Sequence, residues 1–322
     1  MNLFPKIKKA WDVRKDYVKK NNLECFRLIN GAGDEFPDLV VDYYVGAFQI
    51  IYKDPSVFKL QETLQQALKE VKPEISSSPE NYFFEVKNFS LTDPGAAECF
   101  LGKQSNILSV QKKVVVENNL KFEIHLGEGL HTGLFLDQRE NRAWIASHAK
   151  NKRVLNLFSY TGAFSVAALA AGAREVVSVD LSKNYLDWLK RNVELNGLKV
   201  EEAPVWPRDV FDYLQFAHKK QEKFDLIILD PPTFSRHRKQ VFSTEKDLKS
   251  LVSQTVNLLS PSGNLFLSIN TLKLNRVDFE EEVREALKET SFKTIKKLPL
   301  PLDFRLSDSE EKNPYLKACW IG

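Results

Sequence analysis

A chain of 322 residues with 43% hydrophobic and 28% charged residues has an ordinary globular composition, which excludes a disordered or collagen-like chain. At roughly 150 residues per domain, the length allows about two domains with cores that need no metal or disulfide staples. The longest nearly uninterrupted apolar run, 164–173, falls short of the ~20 residues of a membrane span.

The basic N-terminus is followed by no apolar stretch of the signal-peptide kind. Cys25, Cys99 and Cys319 form no CxxC pair, which argues against a disulfide framework or a cysteine-rich zinc site and suits a reducing cytoplasm. Net charge is only +3, yet residues 1–23 alone carry Lys6, Lys8, Lys9, Arg14, Lys15, Lys19 and Lys20 against Asp12 and Asp16. A second basic cluster is Arg236, His237, Arg238 and Lys239, with Lys246 and Lys249 close behind. Such patches attract phosphates or simply form a solvated surface.

Residues 1–23 read as a basic, helical lead-in. A strand at 24–30, a turn at 31–38 and strands at 39–44 and 47–52 follow, the last two separated by Val45-Gly46. Residues 56–70 repeat apolar positions at helical spacing, and Pro73 with Ser76-Ser77-Ser78-Pro79 ends that helix. Strand-like runs return at 82–86, 113–117 and 121–126, completing a small α+β domain over 24–125.

From residue 126 the organisation changes. A strand at 153–158 leads into an Ala-rich helix near 162–172, and a strand at 175–180 leads to Ser182, which has the chemistry of an N-cap for a helix reaching Asn196-Gly197. A strand at 224–230, a helix at 244–259, a turn at 261–263, a strand at 264–270 and a helix at 276–290 precede the final strands. This alternation predicts an α/β domain, 126–322, built on a doubly wound parallel sheet.

Ligands of such sheets bind at the carboxyl ends of the strands. The first strand runs into Asn156-Leu-Phe-Ser-Tyr-Thr-Gly162, the second ends at Asp180, and a later one ends in Asp230-Pro231-Pro232-Thr233-Phe234. The first loop has one glycine instead of G-x-G-x-x-G, which disfavours a nicotinamide dinucleotide. Asp180 lies 18 residues after Gly162, close to the ~20-residue spacing of an acidic residue that binds ribose hydroxyls. Together these features suggest an adenosyl ligand without a diphosphate, of which S-adenosylmethionine is the common one; the alternative is that Asp180 only caps the following helix. Asp230-Pro231-Pro232 stiffens the chain and removes two backbone donors. It is either a rigid acceptor platform for a planar base or a tight strand-exit turn.

At this point the chain resembles a known family. Gly133-Leu-Phe-Leu-Asp-Gln-Arg139, Asn156 to Gly162, Asp180, Asp230-Pro-Pro-Thr-Phe-Ser235 and Lys317-Ala-Cys-Trp-Ile321 are similar to motifs of class I S-adenosylmethionine-dependent methyltransferases of bacterial large-subunit ribosomal RNA. Within that group the likeness is closest to the guanine-N7 methyltransferase half of the bifunctional 23S RNA enzyme. Residues 24–125, with Arg27-Leu-Ile-Asn-Gly-Ala-Gly-Asp34 and Val40-Val-Asp42, resemble the small strand-rich domain that precedes the catalytic domain in this group. No PUA domain is recognisable ahead of it, and the group's usual Gly-Leu-Pro-Gly turn reads Glu35-Phe-Pro-Asp38.

The resemblance implies a Rossmann-like methyltransferase sheet, S-adenosylmethionine as cofactor, large-subunit ribosomal RNA as partner, and no metal or membrane. It implies that Asp180 accepts hydrogen bonds from the ribose, that Asp209 faces the adenine amine, and that Phe158, Tyr160 and Gly162 line the methionine side. Asp137 and Arg139 would complement the cofactor's ammonium and carboxylate, or else form an ordinary ion pair. Phe135, Asn156, Thr161 and Asp230 complete the expected cofactor set. Asp230, Pro231, Pro232 and Phe234 would hold the base, and Arg236, Arg238 and Lys239 would contact RNA phosphates.

Methylation of a pyrimidine C5 needs a cysteine nucleophile. In the related 5-methylcytosine enzymes it follows the fifth strand, where this chain has Ser268-Ile269-Asn270, and Cys319 reads as core. A ring nitrogen needs no such group, and guanine N7 already carries an in-plane lone pair. The five histidines, 125, 131, 148, 218 and 237, show no metal-ligand spacing. The rival readings are a 5-methylcytosine enzyme and a non-catalytic RNA-binding module.

Overall fold

The computed structural model describes residues 2–77, 82–87, 98–101, 110–128, 130–237 and 240–322. They divide into two compact units, Met1–Arg139 with Pro301–Ser309, and Glu140–Leu300 with Glu310–Gly322.

In the first unit, α1 (Phe4–Lys20), β1 (Cys25–Asn30), β2 (Leu39–Tyr44), β3 (Ala47–Tyr52), α2 (Pro55–Phe58), α3 (Gln61–Ile75), β4 (Tyr82–Lys87) and β5 (Glu98–Leu101) follow in order. The five strands form one sheet in sequence order, antiparallel except for β3–β4, whose parallel pairing is made possible by the helical crossover. A separate hairpin joins β6 (Gln111–Glu117) and β7 (Leu120–Leu126). Although α3 was expected to stop at Pro73, it runs on to Ile75, with the proline in its last turn.

The basic lead-in is part of this unit's core. Ile7, Trp11 and Val18 of α1 are buried with Leu64, Leu68 and Val71 of α3 against Phe26, Leu28, Phe48 and Ile50 of the sheet. Its lysines are also partly neutralised, Lys8 and Lys15 by Asp12 and Lys9 by Glu35.

Residues 301–309 belong to the first unit although their chain neighbours on both sides belong to the second. Arg139 donates to Asp303 Oδ1 at 2.8 Å, to Glu117 at 3.2 Å and to the Cys25 carbonyl at 2.8 Å. The Arg27 backbone N–H bonds Asp303 Oδ2, and Arg14 bonds both the Asp303 carbonyl and buried Asp34. The approach is close: a Cβ on Gly33 would lie 2.1 Å from the Arg305 carbonyl oxygen. A sequence boundary near 126 with everything beyond it in one domain does not represent this return of the chain.

The second unit contains α4 (Arg139–His148, its first residue counted with the other unit), β8 (Arg153–Leu157), α5 (Ala163–Ala170), β9 (Glu175–Asp180), α6 (Lys183–Leu195), β10 (Val205–Pro207), α7 (Val210–Lys219) and β11 (Phe224–Leu229). Then come β12 (Phe234–His237), β13 (Gln240–Ser243), α8 (Thr244–Val256), β14 (Leu259–Asn270), α9 (Arg276–Leu287), β15 (Thr294–Leu298), α10 (Asp308–Lys312, its first two residues counted with the first unit) and β16 (Leu316–Ile321).

Seven strands form a sheet in the order β10-β9-β8-β11-β14-β16-β15, parallel except for β16. Alternate side chains of each strand face opposite layers. Leu155, Leu157, Ile227, Leu229, Leu265 and Leu267 pack with α7, α8 and α9. On the other face Phe266 meets Phe164 of α5 at 5.4 Å. This is the doubly wound Rossmann-like sheet that the alternation predicted. Strand order reverses between β8 and β11, and the crevice at that switch point is where such sheets bind ligands. Among the described residues no helix is long and apolar enough to cross a membrane.

Candidate active site

The loop after β8 is held in a costly conformation. Phe158 and Tyr160 both take the left-handed backbone region, with φ of 57° and 50°, and Gly162 follows at 79°. For the two aromatic residues this costs of order 1–3 kcal/mol each and persists only where surroundings impose it. The Ser159 N–H bonds the Val179 carbonyl, Gly162 N–H bonds the Ser159 carbonyl, and Asn192 of α6 donates to the Thr161 carbonyl at 3.0 Å. A Cβ on Gly162 would sit 2.2 Å from Leu189 Cγ, so glycine is required by close approach as well as by φ.

Asp180, at the end of β9, accepts from the Tyr160 N–H and the Ser182 N–H, each at 2.9 Å. The helix cap itself is Ser182, whose hydroxyl accepts from Tyr185 N–H, so Asp180 is not the N-cap of α6. Burial pushes the Asp180 carboxyl up from its ordinary value, opposed by the N–H groups of Ser182, Tyr160 and Leu181. The result is a half-buried acceptor beside a strained loop. At the next strand end, Asp209 caps α7 by accepting from Phe211 N–H at 2.9 Å and Asp212 N–H at 3.3 Å. It lines an open cleft of about 510 Å³ with Leu181, Pro207, Arg208 and Phe216.

At the end of β11, Asp230 accepts from Ser268 Oγ of β14 at 2.6 Å. Pro231 is buried and Pro232 exposed, and the Pro232 carbonyl is taken by the Thr244 hydroxyl at 2.9 Å. Phe234 begins a short hairpin, β12–β13, and is 54% exposed. Phe242 of that hairpin stacks on Phe158 at 6.0 Å, which ties the β11 exit to the β8 loop. Arg238 and Lys239 lie outside the described residues; of Arg236 only the backbone, in β12, is described.

The remaining expected residues are placed as follows. Asn156 is buried beneath the loop and donates to Ser165, which bonds Ser178. In the first unit, Phe135 is partly exposed with its ring 5.3 Å from His131, and Asp137 is buried. Arg139, expected at a cofactor carboxylate, is buried in its bonds to Glu117, Asp303 and Cys25.

Three residues assigned no role from the sequence matter here: Ser159, Ser268 and Phe242. Ser159 stands inside the Asn156–Gly162 motif and Ser268 was noted only for not being cysteine, whereas Phe242 stands in no motif and acts through Phe158. Ser159 also provides a test of fit. It is 5% exposed, and its hydroxyl is buried without a hydrogen-bond partner. An orphan hydroxyl in the loop facing the switch point, together with the Asp180 carboxylate, suits a polar ligand of adenosyl type. Among the described residues no group of three His, Cys, Asp or Glu could hold a metal.

Comparison with known proteins agrees with this geometry. The family described as S-adenosylmethionine-dependent methyltransferase matches residues 26–316. YwbD of Bacillus subtilis, provisionally named a ribosomal RNA large subunit methyltransferase, is 34% identical over 98% of this chain and 79% of its own length. Ribosomal RNA large subunit methyltransferase K of Neisseria meningitidis is 41% identical over 64% of this chain but 55% of its own length. Ribosomal RNA large subunit methyltransferase I of Aeromonas salmonicida is 33% identical over 81% of this chain and 64% of its own. The chain therefore spans less than two thirds of these last two relatives. The crystal structure of SMU.776, provisionally named a methyltransferase and solved with S-adenosylhomocysteine, superimposes with a TM-score of 0.88 at 30% identity, covering 100% of this chain and 82% of that one. The chain belongs to the S-adenosylmethionine-dependent methyltransferase family, and it is an enzyme of that class.

Proposed function

We propose that this methyltransferase modifies large-subunit ribosomal RNA at the N7 atom of a guanine. The RNA class is supported by the names of the relatives from Bacillus, Neisseria and Aeromonas. The observation that carries the choice of atom is the pair of strand exits: neither Asn270-Thr271-Leu272 after β14 nor Asp230-Pro231-Pro232-Thr233 after β11 holds the thiol that a C5 mechanism calls for. The nearest thiol on the same sheet, Cys319, is 3% exposed, and burial pushes it up to about 12. It is neither accessible nor a thiolate at neutral pH.

In this reading the cofactor supplies an electrophilic methyl group on a sulfonium. Asp180 accepts the ribose hydroxyls, and charge-assisted bonds of that kind contribute ~1.5–3 kcal/mol each. Phe158 and Tyr160, held rigid by the loop, offer aromatic faces to the sulfonium side. The Asp230 carboxylate, fixed between β11 and two prolines, accepts from the N–H donors of a guanine edge, and exposed Phe234 stacks on the base. N7 attacks through its own lone pair and loses no proton, so the chain supplies alignment and exclusion of water instead of a general base. Arg139 we assign to the packing of the first unit.

Comparison of 23S RNA from a deletion strain and its parent tests the reading. Borohydride reduction and aniline cleavage should cut the parental RNA at one guanosine and leave that site intact in the deletion. Identical cleavage patterns in the two strains would overturn the N7 assignment.

A further inference from the structure

Ser268 lies in the middle of the seven-stranded sheet with 0% exposure. The parallel register places Leu229 of β11 beside Leu267 of β14, so the next residue on each strand, Asp230 and Ser268, are neighbours. The Ser268 hydroxyl donates to Asp230 Oδ1 at 2.6 Å. A hydroxyl buried at the centre of a sheet is costly unless it is bonded. This one is bonded to the carboxylate whose backbone is stiffened by Pro231 and Pro232. The short distance and the fixed strand pairing leave the carboxylate little rotational freedom about its own side-chain axis.

We propose that Ser268 is the positioning residue of the methyl transfer: it holds the Asp230 carboxylate in one orientation, so that the acceptor face is presented to the N–H donors of the incoming base. Having no exposed surface, Ser268 cannot touch RNA or cofactor and acts through Asp230. A hydroxyl that donates to a carboxylate stabilises its ionised form. The same bond therefore fixes geometry and keeps the group an acceptor. This inference rests on the reading of Asp230 as the base-holding group.

The experiment uses the full chain and four variants: Ser268→Ala, Ser268→Thr, Ser268→Gly and Asp230→Asn. Unfolding temperature is followed together with S-adenosylhomocysteine affinity, kcat, KM for ribosomal RNA, and the pH–rate profile. Ser268→Ala and Ser268→Gly are expected to bind S-adenosylhomocysteine within twofold of the parent while kcat falls tenfold or more. The acid limb of the profile should move to higher pH. Ser268→Thr, which keeps the hydroxyl, should recover most of kcat. A folded Ser268→Ala enzyme with parental kcat and pH profile would overturn the proposal. So would a loss of kcat in Ala and Gly that folded Ser268→Thr does not restore, since that assigns the effect to packing. Asp230→Asn with parental rate would instead overturn the role of Asp230 itself, whereas inactive Asp230→Asn beside fully active Ser268→Ala defeats only the role of Ser268.

Discussion

Asp303 and Arg139, 164 residues apart in the chain, form a buried ion pair at 2.8 Å in which the side chains are 0% and 2% exposed. Removing one partner of such a pair leaves an uncompensated buried charge, at ~3–5 kcal/mol. Asp303→Ala should therefore destabilise the first unit by that amount, and more because Arg27 N–H also loses its acceptor. Hydrogen exchange at β1 and β2 would report it. Protection equal to the parent's would show that the return segment is dispensable.

The strained loop after β8 gives a second prediction. Gly162 and Gly172 both have positive φ, at 79° and 86°, but only Gly162 is crowded: the nearest atom to a Cβ on Gly172 is 3.8 Å away. An alanine in the left-handed region costs ~1–2 kcal/mol. Gly172→Ala should lose about that much stability with cofactor affinity intact. Gly162→Ala should lose more and weaken S-adenosylhomocysteine binding, because Leu189 or the loop must move. Equal losses from the two substitutions would contradict the account of the loop.

Asp180→Ala is expected to weaken S-adenosylhomocysteine binding at least about tenfold, the equivalent of one lost charge-assisted bond of ~1.5 kcal/mol. Asp180 also holds Tyr160 N–H, so part of the loss will come from the loop. Calorimetric titration with unchanged affinity would remove this strand end from the cofactor site.

Lys317, buried on β16, donates to the carbonyls of Thr271 and Pro314 at 2.8 and 2.7 Å. Burial, with Arg276 nearby, pulls its amine down from 10.5 to about 8. Between about pH 8 and 10.5 the unfolded chain then binds the proton that the folded chain has released, so stability from this group rises with pH across that window. Below pH 8 the folded state carries the cost of the buried cation. The difference in unfolding temperature between the parent and Lys317→Met should accordingly shift in the parent's favour from pH 8 to 10. A shift in the opposite direction would contradict the sign.

A variant with Cys25, Cys99 and Cys319 all replaced by Ser should, if folded, still methylate RNA. Complete loss of transfer in a folded variant would revive a covalent C5 mechanism.

Much of the second unit was legible in the sequence because β8, β9, β11 and β14 are buried apolar runs alternating with helices, and their ends carry Asp180 and Asp230. β10 was not delimited as a strand, being three residues long and only partly buried. The β12–β13 hairpin was read only as a basic segment, since its charges obscure the pairing of Phe234 with Ser243. In α1 the lysines drew attention from Ile7, Trp11, Arg14 and Val18, whose helical spacing already marks a buried face. The return of residues 301–309 has no local signal at all: its partners Arg14, Arg27 and Arg139 are distant in sequence. Arg139 stands in a family motif, and nothing local distinguishes an arginine that meets a ligand from one that meets Asp303. Ser268 was noticed for not being cysteine; its bond to Asp230 depends on strand register, which composition does not reveal.

The most direct measurement is transfer of tritiated methyl from S-adenosylmethionine, by the purified chain, to large-subunit RNA from a deletion strain, followed by digestion and separation of the nucleosides. The account predicts label in 7-methylguanosine, abolished by Asp230→Asn. Label in 5-methylcytidine or another nucleoside, or no transfer to RNA that the chain binds, would contradict it.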